Sequence, residues 1–147
     1  LIDSSTKGSK ISKYGKSAVC WAVFAGRLVG TPIRVGLIYS SYEGPNRMFY
    51  VGVIRALEDC FYLGDKECIF EVKGDCELVI KQLNGQWNVN ALSDFYSQVK
   101  GIEKKYQEHD RGEVHYGYIS KDHPLYKKVD RCANEVRNFI EQRLEKR

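Results

Sequence analysis

The sequence predicts an α/β domain, in which a mixed five-stranded sheet with its first three strands antiparallel is flanked by helices. Two observations carry this expectation. Near the N-terminus, β-rich apolar runs follow one another across short turn signals, the pattern of an antiparallel meander. Beyond residue 46, helical periodicity alternates with strand-like runs, giving the order β-β-β-α-β-α-α-β-α, an order that covers a sheet with helices. The 147 residues suit a single domain, 1–147. Hydrophobic residues make up 43% and charged residues 29%, so the chain has enough apolar material to bury a core.

The elements follow in order. Leu1-Ile2-Asp3 is apolar, apolar, acidic and then followed by small residues, as if a strand were entered near its end. Residues 4–17 are a Gly/Ser/Lys loop without periodicity. Residues 18–25 form a β-rich apolar run closed by Gly26, and 33–39 a second one after the Gly30-Thr31-Pro32 turn. Gly44-Pro45-Asn46 punctuates its end. Met48, Val51, Leu57 and Phe61 predict a helix over 47–62, ended by Gly64, and 66–73 alternates as a strand. A short helix spans 77–83 and stops at Asn84-Gly85. Leu92, Phe95, Val99, Ile102 and Tyr106 recur at helical spacing over 91–107. Residues 113–119 read as a strand, and Pro124 opens a last helix with Val129, Cys132, Val136 and Ile140 on one face.

Several function classes are excluded or narrowed. Apolar runs such as 51–54 are far too short to cross a bilayer, and residues 1–16 have no apolar signal-peptide core, so no membrane partner is expected. The five cysteines (Cys20, Cys60, Cys68, Cys76, Cys132) form no C-x-x-C pair, which argues against a disulfide framework or zinc cage and for a reducing, intracellular setting. The formal net charge of +4 is uneven: eight basic and two acidic residues lie up to Arg55, against 15 and 17 beyond it. A basic half favours a polyanionic partner. The chain begins at Leu1 and its one methionine is Met48, from which we expect a segment of a larger polypeptide.

Three aspartates stand at telling places. Asp3 ends the first strand, Asp75 follows a strand across Gly74, and Asp130 lies early in the last helix. Converging carboxylates are what a hard divalent cation requires, and two-metal phosphoryl chemistry uses such a cluster to activate water. Taken singly, Asp75 also reads as a helix N-cap and Asp130 as an exposed helical residue.

The run G-D-C-E-L-V-I-K-Q-L-N-G-Q-W (74–87) resembles the central motif of the ribonuclease H family, in which an aspartate after a strand precedes an apolar helix. The run H-P-L-Y-K-K-V-D-R-C-A-N-E-V (123–136) resembles its last motif, of the form D-x-x-A-N. Asn46-Arg47-Met48 is similar to the start of the family's first helix, and Leu1-Ile2-Asp3-Ser4-Ser5 to the end of its first strand. The resemblance spans essentially the whole chain and is nearest to the plant and retroelement type, which lacks a basic handle insertion.

The resemblance implies a ribonuclease H-like fold and a site that hydrolyses the RNA strand of an RNA–DNA hybrid with two Mg²⁺ (or Mn²⁺) ions held by four carboxylates. Asp3, Asp75 and Asp130 match three of these as catalytic and metal-binding residues. Phe49 stands where the fourth, a glutamate, belongs, and a phenyl ring cannot ligate a metal. Cys76 replaces a small hydroxyl residue and Tyr126 an asparagine. His123 occupies the loop of the family's product-release histidine. Lys7, Lys10, Asn46, Arg47 and Trp87 are the candidate contacts to an RNA–DNA hybrid or double-stranded RNA. The expected function is a hybrid-binding domain whose nuclease activity is reduced or lost through a degenerate site. The alternative is an inactive structural or protein-interaction module of a larger, retroelement-like protein.

Overall fold

Apolar and β-branched residues drive the strands. The computed structural model describes residues 2–4, 15–24, 34–41 and 43–146, with the backbone alone at 2–4, 17 and 18. Strand β1 (Ile2–Ser4) is followed by β2 (Lys16–Val23), β3 (Arg34–Ser41), helix α1 (Pro45–Cys60), β4 (Ile69–Gly74), α2 (Glu77–Leu83), α3 (Ser93–Glu108), β5 (Glu113–Tyr118) and α4 (Pro124–Glu145). This is the predicted order.

The sheet differs from the expectation. β1, β2 and β3 form a three-stranded antiparallel sheet, while β4 and β5 pair in parallel as a separate two-stranded one. The five strands therefore do not make one continuous sheet among the described residues. β1 lies beside β4, but its described residues pair with β2, with Ile2 opposite Trp21, Asp3 opposite Cys20 and Ser4 opposite Val19. Successive residues of a strand turn their backbone groups to alternate sides, so three residues leave too few groups for a second ladder.

The parity of β2 shows how the layers stack. Val19 and Trp21 join the main core with α1, whereas Cys20 and Ala22 face α4 and pack with Val129 and Ala133. One helix thus covers each face of the first sheet. α1 is the central helix, with Met48, Phe49, Tyr50, Val53, Ile54 and Leu57 buried, and it packs on α3 as well as on β1 and β2. Val99 and Tyr106 of α3 are buried as their spacing predicts, with Leu92, Phe95 and Ile102 packed partly against the same core.

Strand and helix ends shift by a few residues, and three local differences have a structural reason. α1 ends at Cys60 and tightens into a 3₁₀ turn over Phe61–Leu63 before Gly64. β4 starts at Ile69 because residues 65–68 form a turn, in which the Cys68 amide donates to the Asp65 carbonyl and the Glu67 amide to the Asp65 carboxylate. The buried seam of α4 is Tyr126, Val129, Ala133 and Arg137, leaving Cys132, Val136 and Ile140 half-buried along its flank. Ala133 and Val129 pack against Cys20 and Ala22 of β2.

Candidate carboxylate site and nucleic-acid interface

β1 is the hub of the candidate site. It is flanked by β2 and β4, and both α1 and α4 pack against it. Thus β4, which Asp75 follows, and α4, which carries Asp130, both pack against the strand that carries Asp3. The Asp3 side chain lies outside the described part. Asp75 is only 7% exposed. It is not the N-cap of α2: that position is Cys76, and Asp75 precedes it. Asp130 is half-buried rather than exposed.

Phe49 lies in the second turn of α1, 1% exposed, inside the main core between buried Met48 and Tyr50. The position that the resemblance pairs with a metal-binding glutamate holds a ring that packs with apolar neighbours. Next to it, the Cys76 thiol donates to Oδ1 of Asn46 at 3.2 Å, joining the starts of α2 and α1. Tyr126, in place of the family's asparagine, is buried on the α4 seam.

His123 caps α4: its Nδ1 accepts the Leu125 amide at 3.1 Å. It precedes Asp130 by seven residues, which places the two on nearly the same face of α4, roughly 10 Å apart along its axis. With Nδ1 engaged, Nε2 is the ring nitrogen left to exchange a proton.

The candidate contacts to nucleic acid fall in two groups. Lys7 and Lys10 lie outside the described residues. Asn46 and Arg47 sit half-buried at the start of α1. Arg47 reaches α3, donating to the Ala91 carbonyl at 3.1 Å, pairing with Asp94 at 3.5 Å and stacking over Phe95. Trp87 is 44% exposed beyond the tight turn at Gly85 (φ 74°). Lys81 lies over its ring, 4.6 Å from the centroid, and pairs with Glu77 at 2.8 Å. Sequence reasoning missed Lys81, and also the buried pair Tyr50 and Gln82. The signal for Lys81 was available: Glu77 and Lys81 are spaced i, i+4 on α2.

Three aspartate carboxylates are hard oxygen donors, and Mg²⁺ binds through one or two carboxylates with its remaining positions filled by water. The donor chemistry therefore fits a divalent cation, with one carboxylate fewer than a four-carboxylate site. Among the residues with described side chains, no three His, Cys, Asp or Glu are grouped for a metal. Also among them, no helix is long and apolar enough to cross a membrane.

No family model matches the chain, and no curated protein does. Solved structures do. The N-terminal RNase H domain of Rv2228c from Mycobacterium tuberculosis, determined as a fusion with maltose-binding protein, is 20% identical with a TM-score of 0.71, covering 97% of this chain and 94% of that one. RNase H1 from the halophilic archaeon Halobacterium salinarum is 24% identical with a TM-score of 0.72, covering 93% and 94%. LC11-RNase H1 in complex with an RNA/DNA hybrid is 21% identical with a TM-score of 0.71, covering 91% of each chain. Likeness of this extent along the whole chain establishes the architecture: the chain has the ribonuclease H fold.

Proposed function

We propose that this chain is a ribonuclease H-like domain that binds RNA–DNA hybrids or double-stranded RNA and whose hydrolytic activity is reduced or lost. The observation that carries this reading is Phe49, buried in the core at the α1 position that the resemblance pairs with a metal-binding glutamate, while β4, which Asp75 follows, and α4, which carries Asp130, both pack on β1. The fold and the hybrid bound by LC11-RNase H1 support the choice of ligand. The direct connection from α2 to α3, with no helix between them, suits the plant and retroelement type.

Asp3, Asp75 and Asp130 would hold Mg²⁺ or Mn²⁺. Such an ion supplies Lewis acidity to the scissile phosphate and lowers the pKa of a bound water. The apolar Phe49 offers the ion no oxygen and removes one negative charge that would share in holding it. His123 presents Nε2 for proton exchange from the start of α4, and Trp87 offers a ring on which a base or sugar stacks. Lys7, Lys10 and Arg47 would contact phosphates, and Asn46 the nucleic acid next to Arg47.

Fluorescence anisotropy with hybrid, double-stranded RNA and double-stranded DNA tests this reading. Three phosphate contacts would lower affinity by about 40-fold between about 50 and about 200 mM salt. Failure to bind the hybrid and double-stranded RNA at low salt would overturn the proposal and favour an inactive protein-interaction module.

A further inference from the structure

Gln82 is a polar residue in the apolar interior, 5% exposed on α2. Both ends of its amide are used. The Tyr50 hydroxyl of α1 donates to Oε1 at 2.8 Å, and Nε2 donates to the Asn88 carbonyl at 3.3 Å. Burial, the largest cause, raises the pKa of the Tyr50 phenol, so it stays protonated and remains the donor. Asn88 follows Trp87 directly. The start of the same loop is pinned where the Gln86 and Trp87 amides donate to the Lys81 carbonyl at 2.9 and 3.3 Å. Its end is pinned by Arg47 on Ala91. The loop between α2 and α3 is therefore fastened before any ligand arrives, and it presents an exposed indole with a lysine ammonium over its ring.

We propose that Tyr50 and Gln82 are positioning residues that preset the Trp87–Lys81 platform to stack on one strand of a bound nucleic acid. The proposal rests on the nucleic-acid reading above. A ring held in place loses less freedom when a base stacks on it, and the ammonium beside it answers the phosphate of that strand.

The test uses the full chain and a short labelled RNA–DNA hybrid. Trp87→Ala should weaken binding by about tenfold. Gln82→Met keeps the side-chain volume and removes both hydrogen bonds. It should weaken binding about three- to tenfold and speed hydrogen exchange at the Gln86 and Trp87 amides. Tyr50→Phe, which removes one bond, should act in the same direction and replaces Gln82→Met if that variant does not fold. The decisive comparison is the double variant: with Trp87→Ala already present, Gln82→Met should cost no further affinity. Equal losses in both backgrounds, or a loosened loop with unchanged affinity, would overturn the proposal. Hybrid binding that is unaffected by Trp87→Ala overturns the platform alone. Wild-type protein that binds no hybrid overturns the nucleic-acid reading and the platform with it.

Discussion

The Cys76 thiol donates to Oδ1 of Asn46 across 3.2 Å, so the N-termini of α2 and α1 are joined beside Asp75. A thiol is a weak donor and a hydroxyl a better one. Cys76→Ser should therefore keep the fold within about 1 kcal/mol, whereas Cys76→Ala leaves Asn46 without this donor and should cost about 0.5–1.5 kcal/mol. Urea unfolding of the two variants measures the difference, and equal stabilities would show that the contact contributes nothing.

Gly36 of β3 is paired with Trp21 of β2, and the indole lies against its backbone. A Cβ there would clash with the Trp21 ring. The indole cannot swing aside freely, because its Nε1 donates to Asp59, which also binds Arg34. Gly36→Ala should destabilise by about 1–3 kcal/mol with a change in Trp21 fluorescence. A variant that melts with the wild type would show that the strand has room.

Burial pushes the Cys60 thiol up to about 11, and the neighbouring Asp59 carboxylate adds to the shift. A folded-state pKa raised above the unfolded one stabilises the fold below the unfolded value and is lost as pH rises toward the folded one. This contribution should therefore fade between about pH 9 and 11. Near pH 8 a thiolate-directed reagent should modify half-buried Cys68 well before Cys60, whose burial both hides the sulfur and suppresses its thiolate. Mass mapping of the first-labelled cysteine checks this, and early labelling of Cys60 would contradict it.

Phe49→Glu exchanges a core ring for a carboxylate at the position that the resemblance pairs with a metal-binding glutamate. Without divalent cation the variant should lose about 3–5 kcal/mol. Mn²⁺ at about 100 times its Kd should return about 2.7 kcal/mol if the new carboxylate joins Asp75 in holding the ion. Thermal melts with and without Mn²⁺ read this directly. Equal shifts in variant and wild type would place Phe49 away from any metal.

The element order was legible because each helix and strand carries its own period and its own stop, as at Gly64 and Asn84-Gly85. The division into two sheets was not, because pairing between β1 and β4 depends on backbone groups of a short strand, which no pattern of side chains reports. The α4 seam was misread by following the larger apolar residues. Of the expected face only Val129 lies on the buried seam, where Ala133 joins it against Cys20 and Ala22 of β2. The site was partly legible: Asp75 and Phe49 stand out in their motifs, and Trp87 follows a turn. The bond between Tyr50 and Gln82 was invisible, because it spans 32 positions and exists only once α1 and α2 pack.

The most direct test of a site one carboxylate short is Mg²⁺- or Mn²⁺-dependent cleavage of a labelled RNA–DNA hybrid, run beside a ribonuclease H that carries all four carboxylates. The expected result is hybrid binding with cleavage slower by on the order of 10³-fold or more, any remaining cutting being abolished by Asp75→Asn. Cleavage at the comparison enzyme's rate, or cutting that survives Asp75→Asn, would contradict it.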